Sequence, residues 1–272
     1  MSLRFATMAA ALVCGLGIAH GAAWAQAVPT QAAGSPAVAA FLAGQTKDCP
    51  GCDLTDALLI RRDLSGANLA GATLMGAGLS EANMTGANLT DADLTEADMT
   101  AANLRNANLH NALLHGATLY LTDLTLADMS EVYMRSAVLR RARMQRVNLT
   151  GAFLIDCDMR EIRLSGATMT GANLGGSKLD GATLVDLDLS GVNLEVTDLL
   201  GTDLSHSNLE GAIFRKADLY GANLSDTKLR GTDFTGARLS TANVIGANLA
   251  DAIFNDTVMP GGETHTGPLP RP

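Results

Sequence analysis

Aromatic side chains are scarce: of 272 residues, one is Trp, three are Tyr and six are Phe. An ordinary interior of this size relies on large rings interlocked with branched aliphatics. With 47% of residues apolar and 4% aromatic, the core must be narrow and regular, lined by small and medium side chains. Basic residues are also in deficit, with 19 Lys and Arg against 28 Asp and Glu. The net charge of −9 opposes general nucleic-acid binding and favours a self-repelling, soluble surface. Beyond residue 25, no apolar run approaches the ~20 residues that a membrane-spanning helix requires.

The first 25 residues differ from the rest. Arg4 is followed by an apolar run from Phe5 to Ile18, and Ala23-Trp24-Ala25 gives a small-x-small cleavage pattern before Gln26. The run is too short for a bilayer span, so it reads as a secretory signal removed after Ala25, leaving no membrane span. Its removal leaves 18 basic and 28 acidic residues and a net charge of −10. The expected location is therefore secreted or periplasmic.

What dominates the chain is a repeat. Stepping by five from Leu54 to Met259 gives 42 positions without a slip: 30 Leu, eight Met, three Phe and one Val. Two residues earlier lies a second column, in which 39 of 42 are Ala, Ser, Thr, Cys or Val. The residue between the columns is Asn or Asp in 24 cases, so the unit reads A-(N/D)-L-x-x, as at Ala67-Asn68-Leu69. On an α-helix a period of five scatters the Leu residues over every face. On a straight strand it sends them to alternating sides. A chain that turns a corner every five residues points both columns inward, and Gly two positions after the Leu, in 18 of 42 units, eases the corner.

These units resemble the pentapeptide repeat family over residues 49–260. The resemblance implies an all-β fold, a right-handed quadrilateral parallel β-helix with 20 residues per coil. Phe214, Phe234 and Phe254, spaced by 20, fit one stacked column. Forty-two units then make about 10 coils and, at about 4.8 Å each, a rod roughly 50 Å long. Residues 26–48 read as a leader and a short capping helix: Ser35 is the N-cap, Pro36 the first helical position, Val38, Phe41 and Leu42 the apolar face, and Gly44 the stop. Pro260-Gly261-Gly262 ends the repeat, and residues 261–272 read as a disordered tail.

Cys49-Pro50-Gly51-Cys52 has neither the βαβ context of a redox motif nor a second ligand pair for zinc. Register places both cysteines on inward columns as a structural cap of the first coil, and export permits a disulfide while leaving their oxidation open. Cys157, in the small column, reads as a buried thiol. The histidines do not converge, and no catalytic, cofactor-binding or metal set emerges, so an enzyme is not expected.

One stretch departs from the pattern. Between residues 131 and 163, Arg135, Arg140, Arg141, Arg143, Arg146, Arg160 and Arg163 face only Glu131, Asp156, Asp158 and Glu161. That is +3 in a mature chain otherwise at −13. A period of 20 stacks Arg140 on Arg160 and Arg143 on Arg163, and aligns Leu113, Tyr133 and Phe153 as an outward column. Two readings stand: a solvated stripe neutralised by its acids, or a partner-binding patch of Arg135, Arg140, Arg143, Arg160, Arg163, Tyr133 and Phe153. The expected function is a non-catalytic interaction or scaffold protein presenting a flat face to an unknown protein or anionic envelope partner. The alternative follows from acidic dimeric family members that resemble DNA and bind a topoisomerase. At the C-terminal end Ile245, Ile253 and Val258 put apolar groups where Asn, Asp, Ser or Thr are usual; either the tail folds back over them or two rods meet end to end about a twofold axis, and the Pro and Gly density of the tail favours the homodimer.

Overall fold

The computed structural model describes residues 35–267; the signal expected at 1–25, the leader at 26–34 and residues 268–272 of the expected tail lie outside these residues. The repeat becomes three extended residues followed by a two-residue corner. The second corner residue adopts a left-handed backbone at all forty-two positions from Gly51 to Asp256, with φ between 52° and 73°. Eighteen of these are glycine and twenty-four are not. Most corners are closed by a bond such as Ala57 N–H to the Leu54 carbonyl, 3.0 Å.

Between corners the central residue bridges in parallel to the residue twenty positions later. Four such columns start at Asp53, Leu58, Asp63 and Asn68, so each turn of the chain has four sides, called first to fourth in that order. Most units are tied to the next coil by bonds such as Leu54 N–H to Thr73 O at 2.7 Å and Asp56 N–H to Met75 O at 2.8 Å. Sides this short rarely form a continuous strand. The parallel pair β1 (Tyr133–Arg135) and β2 (Phe153–Ile155) is the exception within the repeat, with Tyr133 opposite Phe153.

The Leu and Ala columns fill the interior and are almost wholly buried. Where the small column holds a hydroxyl, it finds an acceptor inside: Thr122 donates to Met99 O and Thr202 to Leu179 O, both at 2.8 Å. A buried polar group satisfied in this way carries little penalty. Phe214, Phe234 and Phe254 stack inside, with centroids 5.2 and 5.4 Å apart. Outside, the Asn and Asp residues serve two coils. The Asn68 carbonyl oxygen accepts from Ala70 N–H at 3.3 Å and from the Asn88 amide of the next coil at 3.2 Å.

Three bulky residues interrupt the small column. Arg62, in the first coil, reaches toward helix α1 (Pro36–Leu42), where it donates to Leu42 O at 3.2 Å and also to Phe41 O. Its guanidinium lies 4.8 Å from the Phe41 ring centroid, and burial lowers its pKa. Ser35 caps α1 by accepting from Val38 N–H at 3.2 Å, while Val38 and Phe41 are buried in the core. Ile162 and Leu187 instead widen the coil spacing. Met144 N–H to Arg163 O and Leu164 N–H to Thr183 O are both 3.2 Å, whereas Leu124 to Arg143 and Leu184 to Asp203 are 2.7 Å. On the fourth side no bridge joins Thr168 to Asp188 among the described residues.

The chain after the repeat corrects one expectation. Residues 261–267 are not structureless: β3 (Thr257–Val258) pairs antiparallel with β4 (Thr264–His265), and His265 packs edge-on against Phe254 at 6.3 Å. Pro260 and the glycines make the reversal, with Gly262 N–H bonded to Met259 O at 2.9 Å. At the other end Cys49 and Cys52 form a disulfide across the first corner, with Cα atoms 5.4 Å apart.

Two stability predictions follow from these positions. Leu104→Asp buries a carboxylate in the apolar column and is expected to cost about 4 kcal/mol or abolish folding, whereas Asn103→Asp, one residue earlier and facing out, is mild. Urea denaturation that finds equal losses would contradict the assignment of inner and outer faces. Val196 is β-branched, half-exposed and held at φ 60°. Val196→Asn is expected to stabilise by about 1 kcal/mol, because Asn tolerates the left-handed region; an unchanged or lowered melting temperature would refute this.

Candidate interaction faces

The first side carries an apolar ridge. Leu113, Tyr133 and Phe153 occupy consecutive coils and remain 36%, 39% and 40% exposed. The rings of Tyr133 and Phe153 stack at 5.0 Å and 7°. β-Propensity explains the local order: aromatic residues on both strands turn single bridges into the continuous pair β1–β2. Arg135 ends β1 and meets Asp156 at 3.4 Å.

The corner between the second and third sides is charged and largely neutralised. Glu161 accepts from Arg141 at 2.7 Å and from Arg140 at 3.3 Å. The Arg141 hydrogen bond, reinforced by Arg140, holds the Glu161 carboxyl below the usual carboxylate range. Asp158 is bound by Arg160 at 2.5 Å, which lowers the Asp158 pKa and raises that of Arg160. This part of the cluster matches the solvated, acid-paired stripe. All of these groups are partly exposed, so each pair adds little stability.

The third side is different. Arg143 and Arg163 are bridged neighbours, both exposed, and neither has an ion-pair partner among the described residues. They border a shallow groove of about 440 Å³ with Arg141, Glu161, Gly181 and Thr183.

The seven residues considered as one patch are therefore divided. Tyr133, Phe153 and Arg135 belong to the first side, Arg143 and Arg163 to the third, two sides away, with Arg140 and Arg160 at a corner between them. The period of 20 already implies this division, because 133 and 143 differ by ten residues, half a turn. The acids of the stripe, Asp156, Asp158 and Glu161, are the partners found, and the structure adds which arginine each one binds. Cys157 donates to Met134 O at 3.2 Å, and burial pushes its thiol pKa up to about 12, leaving it an inert core thiol.

At the C-terminal end Val258 lies in β3 and is half-buried, Ile253 is 42% exposed and Ile245 is 78% exposed. The β3–β4 turn covers part of the last coil, but Val244 and Leu249 are only partly buried, and their N–H groups have no acceptor among the described residues.

A family model described as pentapeptide repeats matches in eight copies, covering residues 52–91, 92–130, 127–166, 157–195, 197–236 and 217–256. Among solved structures, HetL, a pentapeptide repeat protein involved in heterocyst differentiation regulation from the cyanobacterium Nostoc sp., is 27% identical. The match covers 84% of this chain and 98% of HetL, with a TM-score of 0.50. A pentapeptide repeat protein from the Arabidopsis thaliana thylakoid lumen is 32% identical over 39% of this chain and 71% of its own, with a TM-score of 0.21. QnrB1, a plasmid-mediated fluoroquinolone resistance protein, is 18% identical over 66% of this chain and 83% of its own, with a TM-score of 0.32. No curated protein matches the chain.

Proposed function

The chain belongs to the pentapeptide repeat family, and on that premise we propose that it is an exported, non-catalytic interaction protein that offers its first side to a protein partner. Pentapeptide repeat proteins of known structure are right-handed β-helices, and the family consists in general of structural or interaction proteins rather than enzymes. We read this chain as about ten such coils, with α1 and its Arg62 clasp covering the first.

One observation carries the reading: the ridge of Leu113, Tyr133 and Phe153. On a surface made mostly of Asn, Asp, Ser and Thr, three consecutive apolar groups gain nothing by facing water, and aromatic groups of this kind anchor protein interfaces. Export is supported by the Cys49–Cys52 disulfide, which an oxidising compartment would preserve. The net charge of −9 speaks for the alternative, an acidic mimic of DNA, and the arginines of the second and third sides speak against it.

Two experiments test the proposal. N-terminal sequencing of the protein from an envelope fraction is expected to begin at Gln26; recovery of the protein only from the cytoplasm, with Met1 intact, contradicts export. Tyr133→Thr combined with Phe153→Thr removes the ridge while using a residue that the same side already carries at Thr73. In-cell crosslinking is expected to lose its main adduct in this variant while the melting temperature falls by only a few degrees. An identical crosslinking pattern in parent and variant removes the ridge as the docking site.

A homodimer through the C-terminal coil forms part of the same proposal, because the uncovered Val244, Ile245 and Leu249 leave both apolar surface and unpaired backbone there. Light scattering at tens of micromolar is expected to give twice the monomer mass, and Ile245→Lys to halve it. A monomeric parent overturns this arrangement.

A further inference from the structure

The geometry points to a binding site for one phosphate-type oxyanion in the groove on the third side, between Arg143 and Arg163. Like charges on adjacent coils repel, and these two stand about 4.8 Å apart along the rod. Their neighbours show how such charge is otherwise handled. Arg135, Arg140, Arg141 and Arg160 each hold a carboxylate, while Arg143 and Arg163 hold none. Glu161, the one acid bordering the groove, is already shared by Arg140 and Arg141, and Arg143 and Arg163 hold no carboxylate.

The backbone adds a second, independent observation. From Asn83 to Asn243 the outward residues of this side donate their N–H to the preceding coil, as in Arg143 to Thr122 O at 2.9 Å and Thr183 to Ile162 O at 3.1 Å. Arg163 is the exception and makes no such bond. Ile162, inserted in a column of small residues between Ala142 and Ala182, spreads the coils here. The groove is thus bordered by two arginines that hold no carboxylate, by Thr183 and by Gly181, at the place where the coils are spread.

Size and charge select the ligand. Asp123 and Asp203 flank the arginine pair on the same column, so the positive stretch is two coils long, about 10 Å, and repels a long polyanion at both ends. A compact group with several acceptor oxygens and two negative charges satisfies both forks, which is the chemistry of a phosphate, free or as a terminal monoester.

The test is calorimetric titration of the full exported chain at low salt with inorganic phosphate and, separately, with glycerol 3-phosphate. The expected result is one site per chain. Arg143→Gln or Arg163→Gln should weaken it at least tenfold, while Arg135→Gln on the first side leaves it within about twofold. Binding of inorganic phosphate alone identifies the free ion as the occupant. Equal or tighter binding of glycerol 3-phosphate identifies an esterified headgroup, and either pattern supports the site. No binding of either probe up to about 10 mM, or equal binding by the parent and the folded Arg143→Gln/Arg163→Gln variant, overturns it. The Tyr133→Thr/Phe153→Thr variant should bind phosphate normally, so failure of the docking proposal and failure of this one are separable.

Discussion

A backbone that enters the left-handed region at every fifth residue leaves room for only three residues on a side, and the rest of the molecule follows from that limit. Two of the three point inward, one small and one large. The third faces out and must bond to the coils on either side of it. Because the corner recurs in phase from Gly51 to Asp256, each residue meets the residue twenty positions away. The interior is then a stack of equivalent layers, and the outside is a set of ladders. A glycine reaches such a corner without steric cost, while Val196 and Thr241 reach it at a price that the surrounding hydrogen bonds offset.

The same limit explains how single residues change the surface. In a layer this thin, a side chain one or two carbons too large cannot be accommodated sideways and acts along the axis instead. Ile162 and Leu187 lengthen or break the bonds between coils around them. Arg62 in the equivalent position does no such harm, because at the first coil it extends out of the stack and onto α1. Position along the rod, rather than residue type alone, decides whether a departure from the repeat is a clasp or a wedge.

Much of the fold was legible because a period of five with no slip admits few solutions. The inward columns, the stacked Phe214, Phe234 and Phe254 and the buried Cys157 all follow from register. The candidate sites were less legible, for a physical reason: register gives the column of a residue but not the reach of its side chain. The arginines were visible as a cluster. That Arg140 and Arg141 share Glu161, while Arg143 and Arg163 remain unpaired on another side, depends on the direction in which each long chain leaves its corner. The turn that pairs β3 with β4 was misread as structureless because Pro and Gly mark a tight reversal as readily as a loose tail.

The widened spacing near Ile162 and Leu187 also bears on how the rod comes apart. In a solenoid each layer is held almost entirely by the layers above and below it, so cooperativity is passed from neighbour to neighbour. Where the Thr168–Asp188 bridge is missing, that transmission is weakest. Three sides stay bridged across those coils, so the loosened side is where opening of the stack costs least rather than a break in it.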